Sequence, residues 1–433
     1  MAVEISDDTP VTGRADLIAW MEAGIKTKDA RRVGTEHEKF IVRRSDHVPA
    51  PYEPNGIADL LENYAKLSSA TRIFQDEKLI GLSLNQAAIS LEPGGQFELS
   101  GAPFFSLHEM SDELDRHLAT VRKAAEPLGL SFAGFGFQPL TSLKDMPRMP
   151  KRRYDIMRNY MPKVGTCGLN MMHRSSTVQA NLDFTSEENM IDIFRVGMAL
   201  QPVVSALFAA SPFMDGKPSG YKTIRPYMWS KTDPDRTGIL NFVFDGNMGF
   251  ARYVDWALDV PMYFVKRGDI YHDVTGVPFR ALLEGRVPQL PQERATFADW
   301  ANHLGTLFPE VRLKHFIEMR GADSGPADHV KALPSLWLGL LYDDASLAAA
   351  KDLIASWAAD DVNDIYEHVS KQGFSATIAG RTALDVARDI VVLADEGLRR
   401  RNLKNSKGES EQIYLDVLKE RVASGRTLAD DML

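Results

Sequence analysis

The sequence predicts an α+β protein in which polar and acidic strands occupy the first three-quarters of the chain and helices cover them from the C-terminal end. Three observations carry this. Four stretches, around 33–42, 85–100, 177–183 and 312–320, alternate polar and apolar residues with the two-residue period of a strand that buries one face. Other stretches, and most of the chain after residue 344, repeat apolar residues at helical spacing. With 433 residues, 44% of them hydrophobic, the chain can bury one large core. It therefore reads as a single domain over 1–433, sheet-rich from 30 to 323 and helical from 330 to 433.

Arg14–Ile25 places Leu17, Ile18 and Met21 at helical spacing and opens the fold as a helix. The first acidic strand follows in RVGTEHEKFIV (32–42), where Glu36 and Glu38 stand two apart and share a face. Like charges at that spacing repel unless a cation lies between them or water screens them. The second acidic element is LEPGGQFELS (91–100). Its Pro93-Gly94-Gly95 is turn chemistry, because proline fixes φ and glycine supplies positive φ. The segment 87–100 thus reads as a hairpin or tight bend. Ser90 and Glu92 lie opposite Ile89 and Leu91, and Gln96 and Glu98 lie opposite Phe97 and Leu99. Mg2+ takes about six oxygen ligands and often combines one or two carboxylates with substrate phosphates. Glutamates on neighbouring strands can hold more than one such ion against a nucleotide.

Ser106-Leu-His-Glu109 is a capping box that starts a helix running to about Pro127. Phe132–Phe137 alternates aromatics and glycines as a strand. Lys151-Arg152-Arg153-Tyr154 and Arg399-Arg400-Arg401 are the densest basic points, each a solvated surface or, for the first, a handle for phosphate or carboxylate. In TVQANLD (177–183), Thr177, Gln179 and Asn181 share one face, which suits the floor of a polar pocket. A helix over 187–210 follows. Its most apolar part, Val196–Ala210, contains Gln201 and Pro202, is too short to cross a bilayer comfortably, and reads as a buried helix. The loop-rich 211–249 carries Arg225, Trp229 and Arg236, residue types that loops use for binding. After the apolar, aromatic 253–265 and a helix over 296–307, 312–320 reads as one strand with Lys314, Phe316, Glu318 and Arg320 on one face. Helices at 344–358, 362–371, 382–402 and 410–424 complete the chain.

A net charge of −9 and the lack of a long basic run argue against a nucleic-acid partner. Cys167 is the only cysteine, so neither an internal disulfide nor a cysteine-based zinc site is possible, and a reducing compartment fits. The opening MAVEISDDTP is acidic and polar, without a basic start or an apolar run, so no signal or transit segment is expected and the protein is expected in the cytoplasm. No GxxxxGK[ST], HExxH or GxSxG is present, and Gly134-Phe-Gly136 lacks the third glycine of a dinucleotide fingerprint. Any use of ATP is therefore without a Walker motif.

Taken together, RVGTEHEKF (32–40), LEPGGQFELSGAP (91–103), KRRYDIMRNYMP (151–162), TVQANLDF (177–184), DRTGIL (235–240), YVDWALDVPMYFV (253–265) and TFADWANHLGTLFPEVRLKHFIEMRGAD (296–323) resemble the plant and proteobacterial type of glutamate–cysteine ligase. The resemblance implies the glutamine synthetase-like fold, a curved antiparallel sheet forming an open, funnel-like half-barrel with helices outside and substrates within. It also implies ATP, two or more Mg2+ ions, L-glutamate and L-cysteine, with no nucleic acid, membrane or obligate protein partner, and the first step of glutathione synthesis. By match to the family's motifs, Glu36, Glu38, Glu92, Gln96, Glu98 and Glu318 are expected on the metal-bearing face. Arg225 is expected at the glutamate carboxylate, Arg236 and Arg320 at phosphate or transition-state charge, and Tyr263 at the cysteine substrate. Thr177, Gln179 and Asn181 would line the pocket. Plant members carry a transit peptide and regulatory cysteine pairs; this chain shows neither, so no intramolecular redox switch is expected. One alternative is an ATP-dependent ligase of the same scaffold with another amine acceptor. A catalytically silent binding protein is disfavoured by the full carboxylate set, and a metal-dependent hydrolase by the missing histidine ligands.

Overall fold

A computed structural model describes residues 7–433; the first six residues, which open the acidic N-terminal stretch, lie outside the described residues. The centre is a nine-stranded, wholly antiparallel sheet. Its strands are β1 (Val33–Arg43), β2 (Thr71–Gln75), β3 (Lys78–Ser83), β4 (Ala88–Leu91), β5 (Gln96–Ser100), β6 (Leu130–Ala133), β7 (Thr177–Leu182), β8 (Val311–Leu313) and β9 (Ile317–Asp323). The order is β8-β9-β7-β1-β5-β4-β3-β2, and β6 also pairs with β1. Phe40 is opposite both Gln96 and Ala133, so β6 continues the edge of β1 that β7 begins. The α+β expectation, an antiparallel sheet flanked by helices, is what the chain builds.

Alternation decides which face is covered. Val178, Ala180 and Leu182 of β7 and Ile317 and Met319 of β9 enter a large apolar core with the helices Glu187–Leu207 and Ala327–Leu341. Ile89 and Leu91 of β4 and Phe97 and Leu99 of β5 pack with helix Ile57–Ser68 in a second cluster. Helix Glu187–Leu207 is buried at every position from Val196 to Leu207, as its composition suggested. The capping box forms as read: His108 N donates to Ser106 Oγ at 3.0 Å and Ser106 N to Glu109 Oε2 at 3.1 Å.

The acidic hairpin also forms. Ser90 faces Glu98 and Leu91 faces Phe97. Gly95 turns the chain at φ +84°, and its N–H donates to the Glu92 carbonyl at 2.8 Å. Gly94 lies against the backbone of His173, where an added Cβ would come within 2.0 Å of the carbonyl oxygen.

The structure corrects two strand readings. The strand expected over 132–137 ends at Ala133, because Gly134 and Gly136 serve close packing: a Cβ there would fall 2.2 Å from the Gly325 carbonyl oxygen and 2.0 Å from Asp323 Cγ. The stretch 312–320 is a hairpin of β8 and β9 rather than one strand. Arg312 faces Glu318 and Leu313 faces Ile317, so each residue meets one of its own parity and the alternation passes through the turn unbroken. Helix Arg152–Val164 escaped the sequence reading; it holds an internal proline, Pro162, that interrupts the helical signal.

Replacing Gly94 by alanine is expected to lower stability by about 1–3 kcal/mol through overpacking against His173. A urea unfolding midpoint equal to that of the wild type would contradict this placement of the turn.

Candidate active site

The polar face of β1, β5 and β7 forms the floor of one open cavity of ≈ 130 Å³. Four carboxylates line it, Glu36, Glu38, Glu92 and Glu98, and four guanidinium groups face them, Arg153, Arg225, Arg312 and Arg320.

The acidic half is set by register. Glu38 and Glu98 are directly opposite on β1 and β5, and both are buried. Ser100 Oγ donates to Glu98 Oε1 at 2.9 Å and Ser90 Oγ does so at 3.4 Å. Thr177 N donates to Glu38 Oε2 at 3.3 Å, and Tyr154 Oη donates to Glu92 Oε1 at 3.4 Å. Burial, then the charges of Glu98 and Glu92, push the Glu38 carboxyl well above the usual glutamate range. This centre therefore carries more negative charge than its own donors relieve. An all-oxygen donor set of this kind suits Mg2+. Among the described residues, no three His, Cys, Asp or Glu side chains already close around a point.

The basic half rests on β9 and the short helix Arg225–Ser230. Arg320 donates to Gln179 Oε1 at 2.8 Å; burial, then neighbouring Arg312, lower its pKa to about 10. One terminal nitrogen of Arg225 donates to the Arg320 carbonyl at 3.2 Å, while its buried Nε has no hydrogen-bond partner. Behind Arg225, at 3.8 Å, is Asp323. That carboxyl accepts from Ala210 N, Ser211 Oγ and Thr223 Oγ1, and burial pushes it up to about 6. These guanidiniums are held on one side and left open towards the cavity.

Of the residues expected at the site, Glu36, Glu38, Glu92, Gln96, Glu98, Thr177, Gln179, Arg225 and Arg320 line the cavity. Four do not. Glu318 is fully buried behind the wall, where Arg312 and Lys314 hold it, with Arg320 3.6 Å away; these cations draw its pKa far below the usual range against the effect of burial. Arg236 is buried, its three nitrogens donating to Asp233 Oδ2 at 2.6 Å, the Pro261 carbonyl at 2.6 Å and the Thr306 carbonyl at 3.3 Å. It lies 4.0 Å over the ring of Tyr263, which is buried beneath it with an unpartnered hydroxyl. Asn181 donates to Glu36 Oε1 at 3.0 Å from beside the cavity. Gln96 reaches the wall, but its amide is committed to backbone: it accepts from Gly94 N at 2.9 Å and donates to the Met172 and Ser175 carbonyls at 3.3 and 2.7 Å. It ties the acidic turn to the segment preceding β7.

Sequence reasoning missed Arg153 and Arg312 as named site residues. Arg153 belongs to the basic cluster singled out above, whereas its neighbour Arg152 turns away to Asp76. Arg312 shares parity with Glu318 and Arg320, the one signal that pointed to it. Met157, Met171, Trp229 and Phe308 give the cavity an apolar end, and no local pattern marks the methionines.

Glu318→Gln removes the common counter-charge of a buried cationic cluster and is expected to cost about 3–5 kcal/mol of stability. Because the folded-state pKa is depressed, this contribution is present above the ordinary value of 4.5 and is lost as pH falls below it. Denaturation curves should show a wild-type advantage that is constant at neutral pH and shrinks in acid. An unchanged midpoint at pH 7 would contradict the assignment.

The chain is 50% identical to the chloroplastic glutamate–cysteine ligase of Arabidopsis thaliana, over 98% of this chain and 80% of the relative, and 48% identical to that of Solanum lycopersicum, over 98% and 79%. A crystal structure of a glutamate–cysteine ligase from Francisella tularensis in complex with AMP shares the fold, with a TM-score of 0.52 and 13% identity over 94% of this chain and 85% of that one. The relatives' names contradict the cytoplasmic expectation: those proteins are named as chloroplastic. That expectation rested on the character of the first ten residues, which do not determine a compartment. With the profile of "Glutamate-cysteine ligase family 2 (GCS2)" matching residues 32–433, the chain belongs to that family.

Proposed function

We propose that the cavity joins the γ-carboxylate of L-glutamate to the amine of L-cysteine, driven by ATP, and releases γ-glutamylcysteine, ADP and phosphate. The observation that carries this is the division of one cavity into a carboxylate floor, Glu38 against Glu98, and a guanidinium wall, Arg225 with Arg320, in a chain of this family. A carboxylate resists attack by an amine because oxide or hydroxide would have to leave. Transfer of the γ-phosphoryl group of ATP to the γ-carboxylate gives an acyl phosphate and ADP. The cysteine amine then attacks the acyl carbon, loses a proton, and expels phosphate.

Two anions must meet for the first step, and the wall supports that. Arg225 offers a planar fork for a carboxylate of glutamate. Arg320, with Arg312 and Arg153, answers the phosphoryl charge. Thr177 and Gln179 supply a polar floor, and the Gln179–Arg320 hydrogen bond fixes the guanidinium plane. The apolar end near Met171, Trp229 and Phe308 is soft and polarisable and fits a thiol side chain. Glu36, Glu38, Glu92 and Glu98 would hold Mg2+, which when bound supplies charge neutralisation between triphosphate and carboxylate. Glu318 and Arg236 act by holding this wall in place. The whole of 1–433 works as one catalytic unit in this account, with the helices from 330 onward as its cover.

The direct test is ADP release from Mg2+, ATP and L-glutamate, with and without L-cysteine, with the product identified by mass. Cysteine-dependent release of γ-glutamylcysteine is expected; turnover with another amine instead would move the function to a different ligase. In the same assay, Glu38→Gln should raise the Mg2+ concentration needed for half-maximal rate by about tenfold or more. Since the Glu38 carboxyl is pushed up, protons compete with the ion as pH falls, and the wild-type Mg2+ requirement should rise towards acid. A requirement equal to the wild type's in the variant at every pH would remove Glu38 from the metal-bearing face.

A further inference from the structure

The helical cover reaches the guanidinium wall at two points, and both lie on helix Ala359–Gln372. Ser370 is buried; its carbonyl accepts from Lys222 N at 2.8 Å and Thr223 N at 3.2 Å, and its hydroxyl accepts from Tyr227 N at 3.1 Å. These bonds grip the chain on both sides of Arg225. One helical turn earlier, buried Tyr366 donates to Glu310 Oε1 at 2.5 Å.

Glu310 sits behind the irregular stretch of β9. The register of β9 against β7 shifts between Met319 and Ala322, so Arg320 and Gly321 occupy a bulge, a device that re-aims side chains. The Glu310 carbonyl accepts from Arg320 N at 3.1 Å. Its second carboxylate oxygen, Oε2, is buried without a hydrogen-bond partner and presses on Gly321, where an added Cβ would fall 2.1 Å away. On the other side of Gly321, Ser205 Oγ donates to its carbonyl at 3.1 Å. The bulge is therefore clasped from behind. The Glu310 carboxyl is pushed up by burial and drawn back by Tyr366 and by the charges of Arg225 and Arg320, so it senses both cavity arginines. Neither Glu310, Tyr366 nor Ser370 lines the cavity.

We infer that helix Ala359–Gln372 positions the two cavity arginines, Arg225 through Ser370 and Arg320 through the Tyr366–Glu310 pair. Glu310, Tyr366 and Ser370 are positioning residues for the ligase reaction: they act on the substrates through the arginines alone. A helix of the C-terminal cover thus belongs functionally to the site. This inference rests on the reading of Arg225 and Arg320 given above.

Steady-state kinetics on the full chain test it with Tyr366→Phe, Arg320→Ala and the double variant. Tyr366→Phe keeps the ring and removes the hydroxyl. The expected result is a fall in kcat of about tenfold, with the KM for L-cysteine within about twofold of the wild type. In the Arg320→Ala background the same change should alter kcat by less than about twofold, because the path it acts through is already gone. Where Tyr366→Phe does not fold, Glu310→Gln and Glu310→Ala take its place. The glutamine keeps an acceptor for the Tyr366 hydroxyl and should retain most of kcat, and the alanine should lose it. Full kcat in Tyr366→Phe or in Glu310→Ala, or a tenfold loss that persists in the Arg320→Ala background, would overturn the positioning role while leaving the site reading intact. An Arg320→Ala variant with wild-type kcat would overturn the site reading and this inference with it.

Discussion

The site depends on one constraint: two buried glutamates, Glu38 and Glu98, sit directly opposite each other on paired strands. Directly opposed side chains in an antiparallel sheet lie about 5 Å apart. Two unit charges at that distance repel by about 3 kcal/mol at an effective dielectric of about 20. A favourable cross-strand pair returns only about 0.2–1 kcal/mol, so the sheet by itself cannot absorb the repulsion. Hydroxyls from Ser90 and Ser100 and the Thr177 amide relieve part of it. The remainder calls for a proton or a divalent cation, and the raised Glu38 carboxyl is the sign of that demand. The packing around the pair prevents escape by slippage. Gln96 ties the hairpin turn to the backbone ahead of β7, and a one-residue slip would carry Phe97 and Leu99 out of their core.

Across the cavity the same economy of charge holds with the sign reversed. Arg312, Lys314 and Arg320 share the single carboxylate of Glu318, which is sealed from solvent. The cluster is net positive and holds that charge at the wall through β8 and β9. Arg236 shows the contrasting case. Its guanidinium is buried and bonded to Asp233 and to two carbonyls, so it stiffens the loop around Tyr263. Arg225 and Arg320 look like Arg236 in sequence and differ from it in how many of their donors the fold consumes.

That difference marks what the sequence could and could not reveal. The alternation of β1, β4, β5 and β7 was legible, because one buried face imposes a strict period of two, and with it the placement of Glu36, Glu38, Glu98, Thr177 and Gln179 on one surface. The hairpin was legible from Pro93-Gly94-Gly95. Side-chain commitment was not: Arg236, Glu318 and Gln96 have the right types at motif positions, but their partners, such as Pro261 and Ser175, are set by tertiary approach. The β8–β9 hairpin hid inside an unbroken alternation, since its turn preserves parity. Helix Arg152–Val164 hid behind its internal Pro162. Nothing local showed that the Glu310–Tyr366 pair would stand behind Arg320, because its members come from segments that meet only in the folded chain.

The measurement that tests the central claim most directly is anomalous diffraction from crystals of the protein soaked with Mn2+ and a non-hydrolysable ATP analogue. Manganese stands in for magnesium as a hard, oxygen-seeking cation. The account predicts anomalous peaks against the carboxylates of Glu38, Glu92 and Glu98, on the cavity side of β1 and β5, with the analogue's phosphates between those peaks and Arg320. Bound analogue with no peak at these glutamates, or with its metal held elsewhere, would contradict the claim that the opposed glutamates exist to hold the cation.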